Sequence, residues 1–136
     1  MSRRQLVIDA SAALHVALAA EPTPALLDYD LVAPAVILSE RTSSLATAAF
    51  RAGIPAAAVP DAFDRLEAMP IMIVGSEAAH RRAALELARS VGWAKSYDAE
   101  YVVLAQRLGC GLLTTDARLM RVAGHLVEVI DPSVLG

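Results

Sequence analysis

The sequence predicts an α/β fold with a mainly parallel central sheet of four to five strands. Short apolar runs rich in β-branched residues alternate with longer segments whose apolar residues recur at helical spacing. The short runs are apolar throughout, which is typical of parallel strands buried on both faces. The chain has 136 residues, 56% of them hydrophobic, enough to bury one core. We therefore expect residues 1–136 to form a single domain.

The strands are predicted from runs of Leu, Val and Ile that end at turn residues. The first run, Leu6-Val7-Ile8, ends at Asp9 and leads through Ser11 into a helix over 12–20. The other predicted strands, in chain order, are 31–33, 71–74, 111–114 and 126–130. Since these runs alternate with helical segments, they are expected to pair in parallel.

Proline, glycine and serine mark the predicted helix boundaries. Pro34 suits the first turn of a helix that carries apolar residues as far as Phe50 and ends at Gly53. Pro60 lies inside the pattern of the next segment, so that helix is either short or kinked. Ser76 opens the helix that follows the third strand. The remaining predicted helices are 55–68, 76–91, 96–108 and 116–122.

The composition and the start of the chain exclude several classes of protein. A formal net charge of −3 argues against binding of nucleic acid through bulk charge alone. No apolar run approaches the roughly 18 residues of a membrane-spanning helix, and the residues after Met1 do not form a signal peptide. Cys110 is the one cysteine, so no internal disulfide is possible. We expect a cytoplasmic protein without membrane contact.

Four carboxylates stand where predicted strands end and predicted helices begin. Asp9 directly follows the first strand, and Asp116 follows the fourth. Asp98 falls at a helix start, and Glu40 lies on the second helix. Ligands of open parallel sheets bind outside the carboxyl ends of the strands, so these acids are candidates for one site. Each also suits a structural role: Asp9 and Asp116 as helix caps, Asp98 in a first turn, and Glu40 on an exposed face.

The chemistry of gathered carboxylates indicates a metal ion. Like charges a few ångströms apart raise one another's pKa and destabilise the fold unless a cation neutralises them. Oxygen ligands without a Cys or His cluster favour Mg²⁺ or Mn²⁺ over Zn²⁺. Such an ion activates water and neutralises charge on a phosphoryl group. Metal-assisted hydrolysis of a phosphodiester is therefore a hypothesis that follows from the acids.

The acidic segments, taken in order, resemble the motifs of the PIN domain, and specifically those of VapC-type ribonuclease toxins of VapBC toxin–antitoxin systems. The resemblance extends from Val7 to Ile130. Four segments carry it: Val7-Ile8-Asp9-Ala10-Ser11 with its D-x-S turn, Ala33-Pro34 with Ser39-Glu40, Ser96-Tyr97-Asp98-Ala99-Glu100-Tyr101, and Leu112-Leu113-Thr114-Thr115-Asp116-Ala117-Arg118-Leu119 with its T-x-D motif.

This resemblance implies a three-layer α/β/α sandwich and a Mg²⁺- or Mn²⁺-dependent endoribonuclease. Such a protein acts as the toxin of a type II toxin–antitoxin system and cleaves structured RNA, either tRNA or rRNA. The catalytic and metal-binding residues would be Asp9, Glu40, Asp98 and Asp116. The hydroxyls that hydrogen-bond the acids or a metal-bound water would be those of Ser11 and Thr114.

The resemblance also implies partners. A VapB-type antitoxin would lie over the active-site groove, and a second copy of the chain would form a homodimer. Operator DNA would be contacted only through the antitoxin.

With four of the 15 acidic residues committed to metal, the remaining acids no longer outnumber the 12 basic residues. The mild acidity is therefore compatible with a metal-dependent nuclease.

Alternatives remain open at this level. A PIN-like interaction protein without catalysis would assemble with a partner only, although the intact set of acids argues against it. A phosphatase of the haloacid-dehalogenase type would need a second Asp where Ser11 stands. The polar run Arg41-Thr42-Ser43-Ser44 departs from the family's apolar-leaning helix and leaves the orientation of Glu40 open. Trp93 either covers the core as a loop aromatic or stacks on a base of the RNA.

Overall fold

The computed structural model describes residues 3–74 and 77–135. Its strands are β1 (Arg4–Ile8), β2 (Tyr29–Pro34), β3 (Ile71–Val74), β4 (Gly111–Leu113) and β5 (Val129–Ile130). The α-helices in these ranges are α1 (Ala10–Leu18), α2 (Ile37–Phe50), α3 (Val59–Ala68), α4 (Ala78–Val91), α5 (Tyr97–Leu108) and α6 (Ala117–Ala123). All strand pairs are parallel, in the order β3-β2-β1-β4-β5. The predicted α/β fold class is confirmed.

The strand order reverses at β1, and this reversal creates a crevice. Leu6 of β1 pairs with Leu31 of β2 on one side and with Gly111 of β4 on the other. The chain first winds outward from β1 to β3 and then returns to add β4 and β5. Right-handed crossovers in opposite directions place their helices on opposite faces of the sheet. The carboxyl ends of β1 and β4 therefore flank a position where a ligand can enter.

The core lies on both faces of the inner strands β1 and β4. Leu6, Val7, Ile8, Leu112 and Leu113 are essentially fully buried, as the uninterrupted apolar runs predict for parallel strands. On one face α5 contacts β1, β2 and β4, and α4 packs on α5. Helices α1, α2 and α3 contact one another in a second layer. The residues at the carboxyl ends of the strands therefore lie on elements that packing holds in place.

The predicted bounds of α2 are wrong at both ends. Pro34 is the last residue of β2, where it pairs with Val74, and the helix begins at Ile37. Pro34 has no backbone N–H to donate, and β2 ends at this residue. The helix ends at Phe50, before Gly53, and Ala52 takes the positive φ of 56°. Phe50 is 91% exposed and contributes nothing to the core.

Other predicted bounds also change. Residues 56–58 form a short 3₁₀ turn and Pro60 lies in the first turn of α3, so the helix is short and unkinked by the proline. The last strand is reduced to Val129–Ile130, because the N–H groups of Leu126 and Val127 bond to Ala123 O in the turn after α6. The predicted helix start at Ser76 lies outside the described residues.

One histidine is enclosed between α4 and α5. The His80 side chain has no exposed surface, and its Nε2 lies 3.6 Å from Glu100 Oε1 without a hydrogen-bond partner among the described residues. Its Nδ1 lies 3.4 Å from an Arg107 nitrogen. Burial, followed by the charge of Arg107, lowers the pKa of His80 below 6.5.

Protonation of His80 is expected to destabilise the fold. The pKa of His80 is lower in the folded than in the unfolded protein, so protonation favours the unfolded state. The contribution of neutral His80 to the free energy of unfolding is therefore complete above pH 6.5 and is lost as the pH falls from 6.5 through the folded-state pKa. The melting temperature of wild type should therefore fall more steeply below pH 6.5 than that of His80→Gln. Thermal unfolding across this pH range checks the expectation, with exposed His125→Gln as the control. Equal slopes for wild type and His80→Gln would contradict it.

None of the helices in the described residues combines the length and apolar character needed to span a bilayer.

Candidate active site

Asp9 lies at the carboxyl end of β1 and caps α1. Its Oδ1 accepts a hydrogen bond from the backbone N–H of Ala12 at 2.9 Å. The backbone N–H of Asp9 continues the sheet by donating to Leu113 O at 3.1 Å. The residue is only 5% exposed. A helix cap alone does not require burial, so the cap and a role in a site are compatible in this residue.

Two hydroxyls hold the carboxylate of Asp9. Ser11 Oγ donates to Asp9 Oδ1 at 2.7 Å, and Thr114 Oγ1 donates to Asp9 Oδ2. Ser11 Oγ also accepts from the N–H of Thr115 at 3.0 Å, and Thr114 Oγ1 accepts from the N–H of Asp116 at 3.0 Å. Thr114 is fully buried. These bonds tie the loop after β4 to the loop after β1.

Asp116 caps α6 at the same edge of the sheet. Its Oδ1 accepts hydrogen bonds from the backbone N–H groups of Arg118 at 2.9 Å and Leu119 at 3.1 Å. As with Asp9, the structural role that the sequence suggested is real. Both capping carboxylates nevertheless line the same cavity.

Glu40 lies in the first turn of α2 and turns toward α5. Its Oε1 accepts a hydrogen bond of 2.6 Å from the hydroxyl of Tyr101. Tyr101 is 1% exposed, and burial together with this hydrogen bond raises its pKa well above the usual value. The hydroxyl therefore remains a donor to Glu40 at every physiological pH.

The polar run after Glu40 divides between two sides of α2. Ser43 and Ser44 follow Glu40 by three and four residues, and they line the same cavity as Glu40. Arg41 points elsewhere: it is 4% exposed, and it pairs with Glu67 of α3 at 3.1 Å. The unusual polarity of this helix is thus explained by one polar side on the cavity and by an ion pair between buried Arg41 and half-exposed Glu67.

Asp98 lies in the first turn of α5 and pairs with a cation of α6. Its Oδ2 is 2.9 Å from an Arg118 guanidinium nitrogen. The Asp98 side chain is 28% exposed and that of Arg118 is 62% exposed. A partly exposed pair of this kind is worth little to stability. Arg118 therefore already supplies a positive charge to Asp98, one of the four candidate metal ligands.

The four acids line one cavity of about 230 Å³, which we call the acid pocket. Its lining comprises Asp9, Ala10, Ser11, Glu40, Ser43, Ser44, Asp98, Tyr101 and Asp116. In the described residues, no three Asp, Glu, His or Cys side chains converge closely enough to hold a metal ion as they stand. The hydrogen bond from Tyr101 and the ion pair with Arg118 direct Glu40 and Asp98 to other partners.

The acid pocket is electrostatically unfavourable for its own carboxylates. Burial raises the pKa of Asp9 from 3.8 to about 6, against the hydrogen bonds from Thr114, Ala12 and Ser11. Burial also raises the pKa of Glu40 and that of Asp98. The hydrogen bond from Tyr101 opposes the rise at Glu40 and the charge of Arg118 opposes it at Asp98, while neighbouring acids add smaller contributions that raise both. Raised pKa values in adjacent carboxyls indicate negative charge that a cation would stabilise. Hard oxygen donors in such a setting fit Mg²⁺ or Mn²⁺.

Two residues of this site were missed by sequence reasoning. Tyr101 follows Asp98 by three residues on α5, a spacing that places both on one side of a helix, so a signal for it was present. Arg118 gave no such signal, because its pairing with Asp98 depends on how α6 packs beside α5.

Comparison with known proteins decides the family. The PIN domain model matches residues 6–125. The chain belongs to the PIN domain family. The predicted PIN resemblance is thereby confirmed, and PIN domains are generally nucleases, which hydrolyse phosphodiester bonds. Among curated proteins no significant match is found.

Solved structures share this PIN fold at low sequence identity. The crystal structure of PAE2754 from Pyrobaculum aerophilum is similar with a TM-score of 0.71 and 21% identity, covering 98% of this chain and 95% of that one. The structure of FitAcB from Neisseria gonorrhoeae gives a TM-score of 0.56 and 16% identity, with 94% and 98% covered. FitAB bound to an IR36 DNA fragment gives 0.56 and 16%, with 93% and 94% covered. At these identities the similarity shows a shared fold and carries no statement about function.

Proposed function

We propose that this PIN domain is a Mg²⁺- or Mn²⁺-dependent endoribonuclease that acts as a VapC-type toxin of a type II toxin–antitoxin system and cleaves structured RNA. The observation that carries the proposal is the acid pocket. Four carboxylates from four separate segments of the chain line one small cavity at the strand-order reversal. A stability role alone does not account for placing Asp9, Glu40 and Asp98 where burial raises the pKa of each.

The metal would be held by oxygen atoms of Asp9, Glu40, Asp98 and Asp116. When bound, a divalent ion activates water and neutralises charge on the phosphate under attack. Ser11 and Thr114 fix the orientation of Asp9 through their hydroxyls. Tyr101 fixes that of Glu40. Loss of a hydrogen-bond partner of this kind typically costs about 10- to 100-fold in metal affinity or activity.

The ion pair between Asp98 and Arg118 is the observation that favours the alternative, a PIN domain without catalysis that only assembles with a partner. In that case the guanidinium would permanently neutralise Asp98. Both side chains retain exposed surface, so the pair can open at low cost. Cleavage of RNA that depends on added metal would distinguish the nuclease from the PIN domain without catalysis.

The partners we propose follow from the same family resemblance. A VapB-type antitoxin would cover the groove that contains the acid pocket, and the chain would form a homodimer in the cytoplasm. One of the solved structures with this fold, FitAB, is described as bound to a DNA fragment. For this chain we propose that operator DNA is reached only through the antitoxin, since its own net charge is −3.

The test is cleavage of a labelled tRNA or rRNA fragment by the purified full chain. We expect cleavage with Mn²⁺ or Mg²⁺, none with excess EDTA, and a loss of at least about 100-fold in Asp98→Asn and Asp116→Asn, because removal of one ligand charge weakens both metal binding and charge stabilisation. The matched control is Asp64→Asn on α3, an exposed acid outside the acid pocket. Cleavage that persists in EDTA, or equal rates in all variants, would contradict the proposal.

A further inference from the structure

A second cavity opens beside the acid pocket. It has a volume of about 430 Å³ and shares Glu40 and Asp98 with the acid pocket. It is also lined by two aromatic side chains, Trp93 and Tyr97, and by two cationic side chains, Lys95 and Arg118. We call it the flanking cavity. A molecule that occupies it lies directly next to the acids.

Two aromatic side chains line the flanking cavity. Tyr97 is 48% exposed at the start of α5. Trp93 packs partly against the core and also lines the cavity. Both interpretations of Trp93 suggested by the sequence are thus compatible with its position. The loop that carries it is anchored, because Gly92 ends α4 at φ 78° and the N–H of Trp93 donates to Ala88 O at 2.8 Å. Anchored, accessible aromatic rings form a stacking platform for bases.

Two cations stand at the same cavity. Lys95 is exposed in the loop between α4 and α5, and Arg118 projects from α6 to Asp98. Trp93, Tyr97 and both cations therefore line one cavity, whose wall also includes Glu40 and Asp98 of the acid pocket. Aromatic rings and cations in one groove fit the bases and phosphates of a single strand. A wholly apolar ligand would leave Lys95 and the acids without complementary groups.

We propose that the flanking cavity binds an unpaired nucleotide of the RNA substrate next to the phosphodiester that is cut. Its base stacks on Tyr97 and Trp93, and its phosphate contacts Lys95, with Arg118 available once it leaves Asp98. This proposal rests on the nuclease function proposed above and assigns the substrate contact of that site. It also implies that cleavage occurs in loops or single-stranded ends of a structured RNA.

The test measures binding separately from cleavage. A short fluorescein-labelled single-stranded RNA of mixed sequence is titrated with the full chain in EDTA, and its anisotropy gives Kd. We expect Tyr97→Ala to weaken binding roughly 5- to 150-fold, the range for loss of one stacked base. Lys95→Ala should lower the slope of log K against log salt by about 1. Arg118 is left unchanged, because its replacement would also disturb Asp98.

Controls isolate the flanking cavity from general charge and folding effects. Arg121→Ala removes an exposed cation from α6, the helix of Arg118, but outside the cavity, and should leave Kd within about twofold. Trp93 is the only tryptophan, so its fluorescence emission should change on RNA binding. In Tyr97→Ala the same change in emission should require a higher RNA concentration. A fully paired duplex should bind more weakly than the single strand, since its bases are not free to stack.

The outcomes distinguish this proposal from the nuclease function. If wild type binds the single strand through Tyr97 and Lys95 but cleaves no RNA with metal, the binding site stands and the nuclease function fails. If wild type cleaves RNA while Tyr97→Ala and Lys95→Ala retain its Kd and KM, the flanking cavity is not a nucleotide site. Absence of RNA binding by wild type, or equal affinity for duplex and single strand, would also overturn the proposal.

Discussion

Replacement of Asp9 by Asn is expected to abolish cleavage while making the metal-free protein more stable. Asp9 is 5% exposed, and burial raises its pKa from 3.8 to about 6. Above pH 6 the folded protein therefore contains a buried carboxylate that the unfolded chain would ionise more easily. The corresponding cost is about 3 kcal/mol, since one pKa unit is 1.36 kcal/mol. The neutral amide avoids this cost.

The amide can use the same partners as the carboxylate. The amide oxygen accepts from Ser11 Oγ and the Ala12 N–H, as Oδ1 does in wild type. The amide nitrogen donates to Thr114 Oγ1, whose second lone pair is available beside the bond from the Asp116 N–H. A metal ion, by contrast, loses a charged ligand. We expect the cleavage rate to fall by about 1,000-fold or more, a loss of about 4 kcal/mol of transition-state stabilisation.

The pH dependence gives the sign of this effect. The carboxyl has a raised pKa in the folded state, so its destabilising contribution is absent below about pH 3.8 and complete above about pH 6. The difference in free energy of unfolding between Asp9→Asn and wild type should grow between these values and then level off. Urea unfolding in EDTA measures it. Wild type should also be stabilised by Mn²⁺ while Asp9→Asn is not.

Two results would contradict the expectation for Asp9. One is an Asp9→Asn protein that is less stable than wild type in EDTA at neutral pH. The other is metal-dependent cleavage at the wild-type rate. Asp64→Asn, an exposed acid on α3, serves as the matched control and should change neither property.

Replacement of Thr114 by Val is expected to reduce both stability and activity. Thr114 is fully buried, and its hydroxyl donates to Asp9 and accepts from the N–H of Asp116 at 3.0 Å. Valine keeps the shape but leaves a buried carboxylate oxygen and a backbone N–H without this partner. We expect a loss of about 1–3 kcal/mol in the free energy of unfolding. We expect cleavage to fall about 10- to 100-fold, as for other residues that orient metal ligands.

The control for Thr114 is the same chemical change at an exposed position. Thr42 Oγ1 donates to Leu38 O on the surface of α2, and Thr42→Val should alter stability by less than about 0.5 kcal/mol. Urea unfolding and the initial rate of cleavage are measured for both variants. If Thr114→Val behaves like Thr42→Val, the hydroxyl does not hold Asp9 in the way described.

Much of the site was predictable because of how parallel sheets are built. Asp9 and Asp116 follow apolar runs, and the carboxyl ends of parallel strands share one edge of the sheet. The position of Asp98 at a helix start was also accessible, since the 96–108 pattern agrees with α5 (Tyr97–Leu108). These predictions needed only local periodicity and the rule for parallel strands.

Other features were not predictable from local patterns. Pro34 fits a helix start as well as a strand end, and only its pairing with Val74 in the sheet decides between them. Phe50 fits the apolar pattern of α2, yet it is the last residue of the helix and its ring is exposed to solvent. The bond from Tyr101 to Glu40 joins residues 61 positions apart, which helical spacing on either element cannot specify.

By itself the sequence determined the α/β class, most strand and helix positions and the order of the acidic motifs, because these depend on neighbouring residues and on short periodic patterns. The tertiary structure decided which side chains meet. Thr114 reaches Asp9 across 105 positions, and Arg118 reaches Asp98 across 20. Such contacts arise only when whole elements pack against one another, since the packing of the complete core sets the distances between their side chains.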